Sequence, residues 1–333
     1  MTPDPKKVLI TGGAGFIGYH LTKRLADLGY KVVITDNFFR SRKDKDLEEL
    51  LSRPNVEFIQ SDLTNLSEWD KLGRGYDYVY HLAAVNGTKL FYEIPHEVLR
   101  INITTTLNAV EWFRAKNPNG KILFTSSNEL YGGAREAFDM LQIPTPETVP
   151  AVIPDISNPR WSYASTKLIG EQLFIHYANN YKFRMAIVRP HNFYGPRAGY
   201  HHVIPELLGR CINKVDPFPL YGYHDKRSFC YIDDAVEAMQ LVMESTATDG
   251  QTYHIGSDEE YKMMGLAELL FVTFGWRPNQ LDIHESPVGS VKRRLADISK
   301  IKKDTGWVPK TKLAEGIKKT FDWYKKNPAP THD

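Results

Sequence analysis

The segment NPRWSYASTKLIGE (158–171) sets Tyr163 four residues ahead of Lys167. On a helix that spacing puts the two side chains one turn apart on the same face. A free phenol has a pKa of about 10, too high for a base at neutral pH. A neighbouring ammonium stabilises the phenolate and lowers that value. The pair is therefore equipped to take a proton from a hydroxyl and to give it back. A surface helix with one snorkelling lysine has the same spacing. The chemistry therefore requires a cofactor site, a third polar group and a substrate pocket elsewhere in the chain.

The elements that would position such a pair are legible. KVLIT (7–11) is a short apolar run ending at glycines, as a buried parallel strand does. Behind it Ile17, Leu21, Leu25 and Leu28 fall on one helical face, and Gly29 ends the helix. KVVITD (31–36), VEFIQSD (56–62), YDYVYHLAA (76–84), KILFTSS (121–127) and RMAIVRP (184–190) read as further strands, with helical segments such as 102–116 and 163–181 between them. This alternation predicts an α/β Rossmann fold with a doubly wound parallel sheet. Beyond about residue 190 Pro and Gly become denser. The pattern breaks into helices at 233–245, 264–275 and 311–326 and a strand at 252–257. The expected organisation is a cofactor-binding domain over 1–190 and a smaller α/β substrate-binding region over 191–330.

TGGAGFIG (11–18) joins the first strand to the first helix, with glycines at 12, 15 and 18. Small residues there let the backbone approach a pyrophosphate, and the helix N-terminus supplies N–H donors and a positive dipole end. The second strand ends in Asp36, where a carboxylate accepts hydrogen bonds from both ribose hydroxyls and repels a 2′-phosphate. NAD is therefore favoured over NADP, with Arg40 and Arg42 close enough to soften that preference. Asp62, after the third strand, meets the adenine or caps a helix starting at 63–65.

Composition sets the bounds. The chain has 333 residues, 42% hydrophobic and 25% charged, with a net charge of +2, which implies no general attraction to nucleic acid or membrane. No run approaches the length of a membrane span, and the first twenty residues lack the pattern of a signal peptide. Two cysteines, Cys211 and Cys230, form no metal-ligand or disulfide pattern, and a reducing, cytoplasmic setting fits. The pair His201–His202 has no third ligand nearby and reads as a loop pair or a substrate contact, so no metal is expected.

Further stretches fall into order with these: DN (36–37), SDL (61–63), HLAA (81–84), TSSNELYG (125–132), RPHNFYGP (189–196), KRSFCYIDDAVEA (226–238) and RRLADISKIKKDTGWVPK (293–310). Together they resemble the extended short-chain dehydrogenase/reductases, in particular the NAD-dependent nucleotide-sugar epimerase/dehydratase family. The resemblance implies that Tyr163 removes a sugar hydroxyl proton while hydride leaves for NAD, whose positive ring further acidifies the phenol. It implies that Lys167 holds the nicotinamide ribose and that Ser127 hydrogen-bonds the reacting hydroxyl. NAD contacts are expected from Gly12, Gly15, Phe16, Ile17, Asp36, Asn37, Asp62, Leu63, Leu82, Ala83, Ala84, Tyr163 and Lys167. The nucleotide-diphosphate sugar is expected to meet Thr88, Lys89, Ser127, Asn128, Asn192, Val203, Arg227 and Arg293 or Arg294. A homodimer through the helices 102–116 and 163–181 is implied in the same way.

The reaction after oxidation stays open at this level. Dehydratases of the family carry Asp-Glu after the Ser or Thr, and here the pair is Asn128-Glu129. An amide cannot donate a proton as an acid can, which counts against a 4,6-dehydratase. A 4-epimerase needs no carboxylate there and is the primary expectation. Uronate decarboxylases have a glutamate matching Glu129, an arginine matching Arg227 and a basic-aromatic run similar to PRWSY (159–163). Glu129 is thus a catalytic candidate or a solvated loop carboxylate. A dehydrogenase releasing the keto sugar and an NAD-sensing regulator are further alternatives. The Arg-x-Gly-Asp element of many relatives is replaced by SPVGSVKRR (286–294).

Overall fold

The computed structural model describes residues 4–138, 141–286 and 292–328. The first half runs β1 (Lys7–Thr11), α1 (Phe16–Asp27), β2 (Lys31–Asp36), α2 (Lys45–Leu51), β3 (Val56–Gln60), β4 (Tyr78–His81), α3 (Thr88–Glu93), α4 (Pro95–Lys116), β5 (Lys121–Thr125), α5 (Gly132–Phe138), α6 (Ser162–Tyr181) and β6 (Arg184–Pro190). A seventh strand, Thr252–Ile255, completes a parallel sheet in the order Thr252–Ile255, β6, β5, β4, β1, β2, β3. This is the α/β Rossmann fold expected from the sequence.

Side-chain alternation along the strands divides the core between the two faces of the sheet. Val8 and Ile10 of β1, Val32 and Ile34 of β2, and Leu123 of β5 pack with Leu21 and Leu25 of α1. Their neighbours Leu9, Val33, Ile122 and Phe124 point the other way, onto Ala109, Val110 and Phe113 of α4 and Phe174 of α6. Strands buried on both faces read as continuous apolar runs for this reason. Helix α4 begins at Pro95, seven residues before the expected 102. Proline's fixed φ suits the first helical turn, where its missing N–H costs nothing.

The second region shares in this architecture. Its helix Ile232–Glu244 packs on α1, and its strand Thr252–Ile255 closes the sheet beside β6. The chain outside the main sheet forms small ladders over the ends of its strands. Phe193–Tyr194 pairs with Cys230–Tyr231, Phe218–Tyr221 with Leu281–His284, and Lys226–Ser228 lies between Glu260–Lys262 and Arg293–Arg294. Within SPVGSVKRR, residues 287–291 lie outside the described residues. Among the described residues no helix is long and apolar enough to cross a membrane.

Candidate active site

One cavity of about 740 Å³ runs along the C-terminal ends of the strands, from the glycine turn to Tyr163. The turn is shaped by what a side chain would strike. Gly12 has φ +70°, and a methyl group on it would stand 2.9 Å from the Ala83 backbone nitrogen. One on Gly18 would stand 2.3 Å from the Gly12 carbonyl oxygen. Gly15 caps α1 without a side-chain hydrogen bond, so the first-turn amides are left for another acceptor. Asp36 ends β2 in the cavity wall, and its carboxylate accepts from Ala14 N at 3.2 Å, Phe38 N at 2.9 Å and Ser41 Oγ at 2.7 Å. The hydroxyls of Thr35, Ser61, Thr125 and Ser126 are buried in the same walls with no partner within the protein.

The catalytic candidates meet where β5 ends. Ser127 caps the turn Asn128–Tyr131, its Oγ accepting from Glu129 N at 3.2 Å, and it hydrogen-bonds Tyr163. It is therefore the cap that its sequence position suggested. The Tyr163 ring stacks on Phe91 of α3 with centroids 5.1 Å apart. Lys167 Nζ lies 5.4 Å from the Tyr163 ring centroid and donates to the Thr125 carbonyl at 2.7 Å.

The electrostatics differ from the sequence expectation. Burial raises the Tyr163 pKa above its ordinary 10.0 and Glu129 adds to the rise, against which Ser127 and Arg40 act weakly. Burial likewise lowers Lys167 from 10.5 to about 7, with Glu171 opposing. The ammonium that was to acidify the phenol is itself half-titrated near neutral pH, because desolvation disfavours any charge at this depth. Between pH 7 and 10.5 the unfolded chain holds the lysine proton more tightly than the folded one, so this site gains stability as pH rises. Lys167→Met is therefore expected to raise the melting temperature of NAD-free protein. The gain should be greatest at or below neutral pH and should shrink towards pH 10.5. A scan against pH checks it, and a uniform loss of stability would contradict it.

Glu129 is not a solvated loop carboxylate. Its Oε2 accepts from Arg160 Nη2 at 2.5 Å and its Oε1 from Arg294 Nη1 at 2.7 Å, and all three side chains are less than a fifth exposed. Burial favours its neutral form, but the two guanidiniums outweigh burial and hold the pKa at about 2. At neutral pH this carboxylate accepts hydrogen bonds and cannot serve as a proton-donating acid.

Residues 8–256 match the NAD dependent epimerase/dehydratase family. The chain belongs to this family. It is 31% identical to a UDP-N-acetyl-alpha-D-glucosaminuronate decarboxylase of Bacillus cytotoxicus, over 96% of this chain and 98% of that protein. Among solved structures it superposes on a Thermotoga maritima UDP-glucose 4-epimerase with UDP-glucose at TM-score 0.83, with 28% identity, covering 96% of this chain and 99% of that one. A Thermus thermophilus UDP-glucose 4-epimerase in complex with NAD gives TM-score 0.79 and 26% identity, covering 96% and 99%.

Members of the NAD dependent epimerase/dehydratase family are enzymes that use NAD, and the cradle fits that cofactor. The glycine turn leaves room only for backbone, Asp36 ends β2 in the cavity wall, and unpartnered hydroxyls line the same walls. Phe16, Ile17, Asn37, Leu63, Leu82, Ala83 and Ala84, expected at the cofactor, all line the cavity. Asp62 does too, at an exposed rim position. It closes its own turn through Thr64, and the helix cap is Asn65. Neither arginine after β2 turns to Asp36: Arg42 stacks over the Tyr200 ring at 4.8 Å, and Arg40 reaches Gly87.

On the substrate side the cavity is lined by Thr88, Lys89, Asn128 and Asn192, the last donating Nδ2 to Ser228 O at 2.9 Å. Three expected contacts are not in its wall. Arg227 is not among the lining residues and pairs with Asp225 at 3.0 Å. Val203 opens its helix facing solvent, and His201 and His202 line the cavity instead. Arg293 pairs with Glu260 at 2.6 Å outside the cavity, because neighbouring residues on a strand face opposite ways and Arg294 takes the inner face. Arg160, three residues before Tyr163, is the basic residue of the PRWSY run and was given no role of its own. Its signal was the Pro-Arg-Trp turn that leads into α6.

Proposed function

We propose that this enzyme decarboxylates a nucleotide-diphosphate uronic acid, oxidising C4 of the sugar before the carboxylate is lost. The observation that carries this reading is the Arg160–Glu129–Arg294 cluster in the cavity wall beside Ser127 and Tyr163. Two cations against one anion leave the trio at +1, a charge that suits a sugar carboxylate and that a neutral hexose does not need. The 31% identical decarboxylase is consistent with it.

In this reading Ser127 orients the 4-hydroxyl and Tyr163 takes its proton. NAD, when bound, accepts the C4 hydride and later returns it. The C4 ketone lies β to the carboxylate, so the C5–C6 bond breaks, carbon dioxide leaves and the electron pair moves into the enolate. C5 then takes a proton from solvent, and Tyr163 returns its own proton to O4 as the ketone is reduced. Lys167, anchored on Thr125, would hold the nicotinamide ribose. The enzyme is a homodimer in this reading, meeting its partner through the outer faces of α4 and α6, where Leu107 and Ile169 are exposed.

Purified protein incubated with UDP-glucuronate, UDP-N-acetylglucosaminuronate and UDP-glucose, followed by NMR, tests the reading. A UDP-pentose with carbon dioxide is the expected product. Interconversion of UDP-glucose and UDP-galactose with the uronates untouched would replace it with the 4-epimerase.

A further inference from the structure

Arg40 has a placement that neither the fold nor the reaction requires. It sits in the loop after β2, yet its guanidinium lies against Gly87, in the loop after β4. A methyl group on Gly87 would stand 3.3 Å from Arg40 Nη1, and Gly87 itself has φ +135°, a conformation suited to glycine. In the sheet β2 and β4 flank β1 on opposite sides. A side chain that joins the loops after β2 and β4 must therefore cross above the β1–α1 turn. The same cavity is lined by Arg40 on one side and by Gly12 and Gly15 on the other.

The side chain is exposed, and its guanidinium lines the cavity without an ion-pair partner. Among the described residues no carboxylate pairs with Arg40 and no acceptor takes a hydrogen bond from it. Nearby acids are engaged elsewhere: Asp36 accepts from Ala14, Phe38 and Ser41, and Asp44 from Arg197 and Leu47. A guanidinium left unpaired in a cleft is available to a ligand, and its planar fork of donors matches phosphate oxygens.

We infer that Arg40 is a strap over the bound dinucleotide, gripping its diphosphate from above while the N-terminus of α1 holds it from below. The diphosphate then lies between a full positive charge and the positive end of a helix dipole. The strap spans the cleft through which the cofactor would leave, so it slows release as well as strengthening binding. This keeps NAD in place through a cycle that returns the hydride it took.

The test compares wild-type, Arg40→Gln and Arg40→Lys full-length proteins by titration with NAD, ADP-ribose and UDP, and by the NAD content of each as purified. Arg40→Gln is expected to weaken NAD and ADP-ribose alike by about 10- to 100-fold, the scale of a lost charge-assisted hydrogen bond. Its purified NAD content should fall, UDP affinity should be unchanged, and Arg40→Lys should recover part of the loss. An unchanged melting temperature without ligand separates this from misfolding, and the Lys variant serves if the Gln variant does not fold. A change in NAD affinity under about twofold on the same scale would overturn the inference. So would a loss confined to NAD with ADP-ribose unaffected, which puts Arg40 at the nicotinamide, or a loss confined to UDP, which puts it on the substrate. None of these readouts depends on which sugar the enzyme converts.

Discussion

Tyr163→Phe is expected to lower turnover by about three orders of magnitude, within the range general acid–base groups contribute, while NAD stays bound. The phenyl ring keeps the stacking on Phe91, and neither the glycine turn nor Lys167 depends on the lost oxygen. What disappears is the oxygen that hydrogen-bonds Ser127 and that, in the proposed reaction, would accept the sugar proton. Burial raises the phenol's pKa, so the base would be favoured by cationic charge brought close to it, as the oxidised cofactor would supply. The variant should therefore bind NAD and UDP as the wild type does, yet fail to generate the absorbance of reduced NAD on mixing with sugar nucleotide. Turnover retained without the hydroxyl would remove Tyr163 from the chemistry.

The sequence carried the frame of this site because the frame is local. A strand, a glycine turn and a helix are consecutive in the chain, and the φ of Gly12 follows from the turn. Tyr163 and Lys167 likewise declare themselves by their one-turn spacing, and Ser127 by its place at the end of β5. The electrostatic partners are not local. Glu129 meets Arg160 across 31 positions and Arg294 across 165, and no periodicity encodes such a meeting. The choice of Arg294 over Arg293 depends on the register of a two-residue strand, Arg293–Arg294, which pairs with Lys226 and Arg227. Runs that short have no alternation to read. The acidified phenol was a fair inference from one helix, but burial is a property of the whole fold, and it reverses the sign for Tyr163 and empties much of the charge on Lys167.

Glu129→Gln and Arg294→Gln are expected to change uronate binding in opposite directions. The trio of Arg160, Arg294 and Glu129 sums to +1. Glu129→Gln raises it to +2, so UDP-glucuronate should bind at least as tightly, with a KM equal or lower. Turnover should still fall by about 100-fold, because two guanidiniums lose the anion that fixes their aim, and a mis-set contact costs that much. Arg294→Gln lowers the sum to zero and leaves Glu129 facing the incoming carboxylate, so the KM for UDP-glucuronate should rise by about tenfold or more, while UDP-glucose affinity stays level. Stability supplies an independent sign. Glu129 has its pKa depressed from 4.5 to about 2, so its contribution is full above pH 4.5 and is lost as pH falls towards 2. At neutral pH Glu129→Gln should cost about 3 kcal/mol, as when one partner leaves a buried ion pair, and the gap from wild type should narrow on acidification. Melting curves across pH and isothermal titrations with the two sugar nucleotides measure both halves. If Arg294→Gln weakens UDP-glucose and UDP-glucuronate equally, the cluster is a general wall of the sugar pocket and holds no site for a carboxylate.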